Sequence, residues 1–144
     1  NLGNMYLSAN RVDDALNQLT AAFTVEKDNF EANNNLGKAY GLKGQFDKSI
    51  DHFARAVAKR PKDPEVRANL ASAYVSAGLS EKARDAYAEV VKLDPQRWEA
   101  RHELGKLHVS LGNKAEGKRV LEELLRIKPD YEKAREVKTL LSTL

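Results

Sequence analysis

The chain repeats itself every 34 residues. Leu2, Leu36, Leu70 and Leu104 form one column at that spacing, and Gly3, Gly37, Ala71 and Gly105 form the next. Tyr6, Tyr40, Tyr74 and His108 follow, then Asn10, Gly44, Gly78 and Gly112, then Ala15, Ser49, Ala83 and Gly117. Further on come Leu19, Phe53, Tyr87 and Leu121, and after them Ala22, Ala56, Val90 and Leu124. The last strong column is Lys27, Pro61, Pro95 and Pro129. A fixed period of this length means one supersecondary unit stacked several times, each unit burying the face of its neighbour.

The columns also say what the unit is. Leu36, Gly37 and Tyr40 share one helix face, and Phe53, Ala56 and Val57 share another at the i, i+3, i+4 spacing. Gly44 lies between them, in a column of Gly or Asn that tolerates the left-handed backbone ending a helix. Small residues at Gly37 and Ser49 let two helices approach closely. The proline column closes the second helix. Asp63-Pro64-Glu65 predicts a helix start, with Asp as cap, Pro at the first helical position and acid in the first turn. No segment alternates like a strand over more than a few residues. Each unit is therefore expected to be a pair of helices.

Composition narrows the function classes. Cysteine is absent, which excludes a disulfide scaffold, a thiolate zinc site and a Cys nucleophile. No run approaches a membrane span, so no membrane insertion is expected. The net charge is +3 and the pI about 9.1, an excess too small and too scattered to imply nucleic acid. The chain begins at Asn1 without a signal-peptide pattern, which reads as a fragment or processed form. A soluble protein of cytoplasm or periplasm is expected.

The columns resemble the tetratricopeptide repeat family, through Leu36-Gly37, Tyr40, Gly44, Phe53, Ala56 and Pro61 and their equivalents in the neighbouring units. The resemblance covers almost the whole chain. It implies an all-α fold, a right-handed superhelical solenoid of antiparallel helix pairs. Residues 1–144 then form a single domain: a truncated first unit at 1–29, full units at 30–63, 64–97 and 98–131, and a C-terminal capping helix at 132–144. That helix is read from Tyr131 to Leu144, with Ala134, Val137, Leu140, Leu141 and Leu144 on an apolar stripe. Lys138-Thr139 stand where Leu-Gly would recur, which makes it a cap, not a fifth repeat. The large apolar residue that the family favours early in its first helix is Asn33, Arg67 and Arg101 here, a departure expected to loosen individual units.

No catalytic constellation is present. His102 and His108 are six apart, not at the i, i+4 spacing that aims two ligands at one metal. His108 takes the tyrosine column and is expected to pack between helices. His52 is expected on a surface, and His102 toward solvent or the groove. Trp98 reads as packing at a helix start. The phosphate-loop, dinucleotide and nucleophile-elbow patterns are missing. The reading is of a non-enzyme with no cofactor and no metal.

In the resembled family the first helices line a concave groove that holds peptide segments. The stripe opposite the Leu36/Tyr40 face is Glu31, Asn34, Asn35, Lys38 and Leu42. Its counterparts are Glu65, Ala68, Asn69, Ser72 and Ser76, then Glu99, His102, Glu103, Lys106 and Ser110. The truncated unit adds Asn1, Asn4 and Ser8. The candidate groove residues are thus Asn1, Asn4, Asn34, Asn35, Lys38, Asn69, Ser72, His102 and Lys106. Asn1, Asn35 and Asn69 form a ladder whose amides can each donate and accept, suited to an extended peptide backbone. Counted over the stripes, four acids face two lysines, so the groove is expected to be net negative. At the places where chaperone-tail receptors of the family hold a terminal carboxylate with Lys and Arg, this chain has Glu65 and Asn69, or Glu99 and Glu103. That partner is disfavoured. The expected function is a protein-protein interaction module that takes a peptide or protein segment in the groove, without nucleic acid. The alternatives are a self-assembling scaffold, a homo-oligomer built through the apolar end of the incomplete first unit, and a recognition arm of a larger enzyme.

Overall fold

A computed structural model describes residues 11–25 and 29–144 of the chain. The described residues form helices and turns, with no strand among them. The helices are α1 (Val12–Val25), α2 (Phe30–Leu42), α3 (Phe46–Lys59), α4 (Pro64–Ser76), α5 (Ser80–Leu93), α6 (Trp98–Ser110), α7 (Lys114–Ile127) and α8 (Ala134–Ser142). From α2 to α7 every start and every end recurs at the 34-residue period. The prolines Pro61, Pro95 and Pro129 each fall two residues after a helix ends. The chain divides into two compact units, one ending at Gly78 and the other running from Leu79 to Leu144.

In the first unit the helix boundaries follow from local chemistry. The Asn29 side chain caps α2 by accepting from the Ala32 amide at 2.8 Å. Asp63 caps α4, accepting from the amides of Glu65 at 2.9 Å and Val66 at 3.3 Å, and Pro64 takes the first helical position. Gly44 ends α2 at φ 72°. Its amide donates to the Gly41 carbonyl and the Gln45 amide donates to that of Tyr40, which satisfies carbonyls the helix end leaves open.

α2 and α3 run antiparallel at close range. Ser49 Oγ donates to the Gly37 carbonyl at 2.7 Å, and a Cβ on Gly37 would lie 2.7 Å from the Phe53 ring. Phe53, Ala56, Val66, Leu70 and Ala73 then make one buried cluster, flanked by Phe30, Ile50, Val57 and Tyr74. Ala15, Leu19, Leu36 and Ala39 make a second. Burying side chains of the Leu or Phe class stabilises by about 1.5–3 kcal/mol each relative to exposure.

The second unit repeats the device with different residues. Gly112, at φ 85°, closes α6 with the same pair of bonds, from Gly112 to Val109 and from Asn113 to His108. Gly105 lies against Leu121, and Gly117 against Val109 and the Gly105 carbonyl, leaving no space for a Cβ at either. Leu121, Leu124, Tyr131 and Val137 form the core, with Trp98, Val109, Leu140 and Leu141 packed on it. The C-terminal helix is shorter than its apolar stripe predicts. Tyr131 enters the core from the turn before α8, and Leu144 lies beyond the helix and is exposed.

The polar residues at the family's large apolar position bond to backbone just before their own helices. Arg67 Nη2 donates to the Pro61 carbonyl at 2.7 Å, and Arg101 Nη2 to that of Pro95 at 3.4 Å. Asn33 is wholly buried; its amide donates to the Asn29 carbonyl at 3.0 Å and its oxygen lies 3.0 Å from His52 Nδ1. Each long side chain thus returns to the loop or cap that precedes its own helix. Nε of Arg67 and of Arg101 stays buried without a partner, so the tie has a desolvation cost.

Candidate functional site

Helix geometry decides which polar residues of α2 can meet a ligand. Ala32, Asn35, Leu36 and Ala39 recur at i, i+3, i+4 and i+7, and all four are buried. Asn35 therefore belongs to the packed stripe and is 7% exposed. Gly41 lies on the far side of the same helix and Lys38 and Leu42 on its flank, next to Asn35, and the three line a concavity of about 410 Å³ in the first unit. α3 contributes Phe46, Ser49 and Phe53 to its walls, and α4 contributes Asn69, Ser72, Ala73 and Ser76. Phe53 is buried beneath Gly37, whose missing side chain keeps the ring in place.

The surface of this concavity is unusual for the unit. Leu42 is 61% exposed, a large apolar side chain left in water. Lys38 is the single charged residue in the lining and has no carboxylate partner among the described residues. Asn69 Nδ2 donates to Asn34 Oδ1 at 3.1 Å, which fixes the Asn69 amide at the rim. Asn34 is thus a positioning residue for Asn69.

The structure brings Lys38, Asn69 and Ser72 together, with Asn34 behind Asn69. Asn35 lies in the packed stripe. Asn1 and Asn4 lie outside the described residues. His102 and Lys106 belong to the second unit. His102, expected toward solvent or the groove, is 3% exposed, because Tyr131 covers it: the rings meet edge to face at 5.7 Å and the phenol oxygen is 3.3 Å from Nδ1. Burial, reinforced by Lys106, holds the His102 imidazole below its ordinary pKa, against the opposing pull of Glu103, Glu99 and Glu136. Lys106 is exposed and paired with Glu103 at 2.8 Å.

Two of the four acids that made the stripes net negative are paired from outside them. Glu31 pairs with Arg60 at 2.9 Å, and Glu99 with Lys133 at 2.7 Å. No acid lines the first unit's concavity, so its local charge is that of Lys38. His52 also departs from expectation. It is half-buried, stacked on Tyr40 at 5.4 Å with the planes 11° apart. Burial lowers its pKa, opposed by Asp51 and reinforced by Arg55.

Phe46 was missed as a site residue, and Leu42 was placed on the groove stripe but left out of the candidate set. Phe46 stands in a column that otherwise reads Val12, Ser80 and Lys114, and Leu42 in one that reads Ser8, Ser76 and Ser110. Leu42 is a large apolar residue in a column of serines, which was the available signal; Phe46 shares its column with the apolar Val12 and stood out less. Among the described residues no group of three or more His, Asp or Glu side chains is placed to hold a metal, and no helix is long and apolar enough to cross a membrane.

Two family models, both described as tetratricopeptide repeat, match the chain: one over residues 1–64, the other over 42–91 and 81–142. No curated protein sequence matches it. Among solved structures the chain is similar to MamA, at 22% identity and a TM-score of 0.88, covering 98% of this chain and 82% of that one. It is similar to a tetratricopeptide repeat protein from Parabacteroides merdae, at 22% identity and a TM-score of 0.87, covering 96% of this chain and 56% of that one. It is also similar to the first such domain of Spaghetti (RPAP3) bound to the HSP90 peptide SRMEEVD. There the identity is 24% and the TM-score 0.72, covering 76% of this chain and 87% of that one. These likenesses bear out the helix-pair repeat fold.

Proposed function

The chain belongs to the tetratricopeptide repeat family, and from that premise we propose that it is a non-catalytic interaction module whose first unit holds a peptide segment of a partner protein. The family fold is a scaffold for protein-protein interaction. The observation that carries the finer reading is the concavity that joins exposed Leu42 and half-buried Phe46 to Lys38, Asn69, Ser72 and Ser76. An apolar wall with a few placed polar groups is how small ligand sites combine affinity with orientation. A structural neighbour holds a peptide, which supports the class of ligand.

In this reading Asn69, positioned by Asn34, pairs with ligand backbone, Ser72 adds a hydroxyl, and Lys38 selects by charge. Asn35 supports the helix from its packed side. Affinity of a short segment in such a site is on the order of micromolar. The test is selection of peptides on the immobilised chain, followed by fluorescence anisotropy. Leu42→Asp and Ser72→Arg, checked for unchanged helicity by circular dichroism, should each weaken a selected peptide about tenfold or more. Peptides indifferent to both substitutions would move the site elsewhere.

A further inference from the structure

We propose that the occupant of the first unit's concavity is an extended segment passing through it that brings one acidic side chain to Lys38 and one bulky apolar side chain to Leu42 and Phe46. This rests on the groove reading above and gives the partner its chemistry.

The acidic requirement comes from charge accounting inside the unit. Arg60 is matched by Glu31, and Lys43 by Asp13. Lys38 is the one cation in the concavity's lining: it is exposed, and no described carboxylate reaches it. The remaining lining is apolar or neutral, so a carboxylate brought there meets one positive charge and no repulsion. A segment that covers the apolar wall excludes water there, which strengthens the pair relative to one on open surface.

The apolar requirement comes from Leu42, which is 61% exposed beside Phe46 at the mouth of the same concavity. Covering it removes apolar surface from water.

The direction of the segment comes from α4. Asn69, Ser72 and Ser76 follow at i, i+3 and i+7, a neutral polar row about 10 Å long by helix rise. That row matches roughly three residues of extended chain. With its Nδ2 engaged by Asn34, Asn69 offers Oδ1 to a backbone N–H. Neutral donors and acceptors in a row suit a continuing backbone. One cation without a second beside it suits a side-chain carboxylate better than a chain end, which gathers several donors.

The test uses a synthetic library of 12-residue peptides, acetylated and amidated so that neither end is charged, selected on the full chain and on Lys38→Glu. On the native chain, selected peptides should be enriched in Asp or Glu with Leu, Ile, Met or Phe within four residues. Lys38→Glu should weaken them about tenfold and should itself select peptides enriched in Lys and Arg. Peptides lost on Leu42→Asp and Ser72→Arg, yet without acidic enrichment and indifferent to Lys38→Glu, would overturn this inference and leave the groove reading standing. Binding obtained only after the C-terminal amide is replaced by a free carboxylate would overturn the through-running segment. Peptides indifferent to all three substitutions, or no selected peptides, would overturn both readings.

Discussion

The Tyr131 hydroxyl donates a 2.6 Å hydrogen bond to Oε2 of Glu99, 32 residues earlier in the chain. Lys133 Nζ takes the other oxygen of the same carboxylate at 2.7 Å. Burial alone would raise the Glu99 carboxyl, but the bonds from Lys133 and Tyr131 outweigh it and hold the group below its ordinary value. Burial, with the Glu99 charge beside it, pushes the Tyr131 phenol well up. With the phenol proton committed to Glu99, the Nδ1–H of His102 donates to the phenol oxygen, which sets the imidazole tautomer. The segment before α8 is thus fastened to α6 by polar contacts as well as by the core around Val137.

Tyr131→Phe keeps the ring in that core and removes only the hydroxyl. It leaves Glu99 without one donor and His102 Nδ1–H without an acceptor. The expected cost is about 1.5–3 kcal/mol, as for a hydrogen bond to a charged group. Urea titration followed by circular dichroism measures it. A midpoint equal to that of the parent would show that the link contributes nothing to stability.

Gly37→Ala tests the helix contact beneath the concavity. The added methyl would stand 2.7 Å from two ring carbons of Phe53, and a ring cannot bend away as a flexible chain end can. Overpacking of this kind costs about 1–3 kcal/mol. Ser49→Ala, by contrast, removes the 2.7 Å bond to the Gly37 carbonyl but introduces the residue that the column already holds at Ala15 and Ala83. It should cost about 1 kcal/mol. Reversal of that order in thermal melts would place the strain elsewhere.

The fold was legible because its determinants are periodic. Helix ends follow Gly44, Gly112 and the proline column, and Asp63-Pro64-Glu65 caps as its residue types require. The site was legible only in part, since specificity lies in what does not repeat. Lys38, Asn69 and Ser72 were found because they sit on the exposed stripe. Asn35 was placed there too, although one residue of helix rotation carries it into the row of Ala32, Leu36 and Ala39. His102 was misplaced for another reason. Its cover is Tyr131, a contact between residues 29 apart that no local pattern contains.

Gly78→Val separates backbone strain from crowding. Gly78 sits at φ 74°, and nothing lies within 4 Å of where its Cβ would be. Any loss therefore comes from the left-handed conformation, about 1–2 kcal/mol for an ordinary L-residue and more for a β-branched one. Gly78→Asn should lose less, because Asn tolerates that region. Chemical denaturation of the two variants side by side decides it, and equal stability of Val and Gly would show that the turn readjusts freely.

Acidification should destabilise the chain in two windows. His52, His102 and His108 are all held below 6.5, in each case chiefly by burial. Around His108 the carboxylates of Glu116 and Asp85 oppose the shift, while Arg84 and Arg119 add to it. In the unfolded chain these imidazoles take up protons as pH falls through 6.5, while the folded chain resists. Between 6.5 and the folded values the unfolded state therefore binds more protons, and stability falls with pH. The loss is complete once pH lies below the folded values. Glu99 acts lower: its depressed carboxyl contributes stability present above 4.5 that is lost as pH falls through the folded value. Urea midpoints at about pH 7.5, 6 and 5 should fall in sequence. The triple variant His52→Gln, His102→Gln, His108→Gln should flatten that slope whatever its absolute stability. A parent chain whose midpoint is unchanged between about pH 7.5 and 5 would show that the three imidazoles titrate alike in both states.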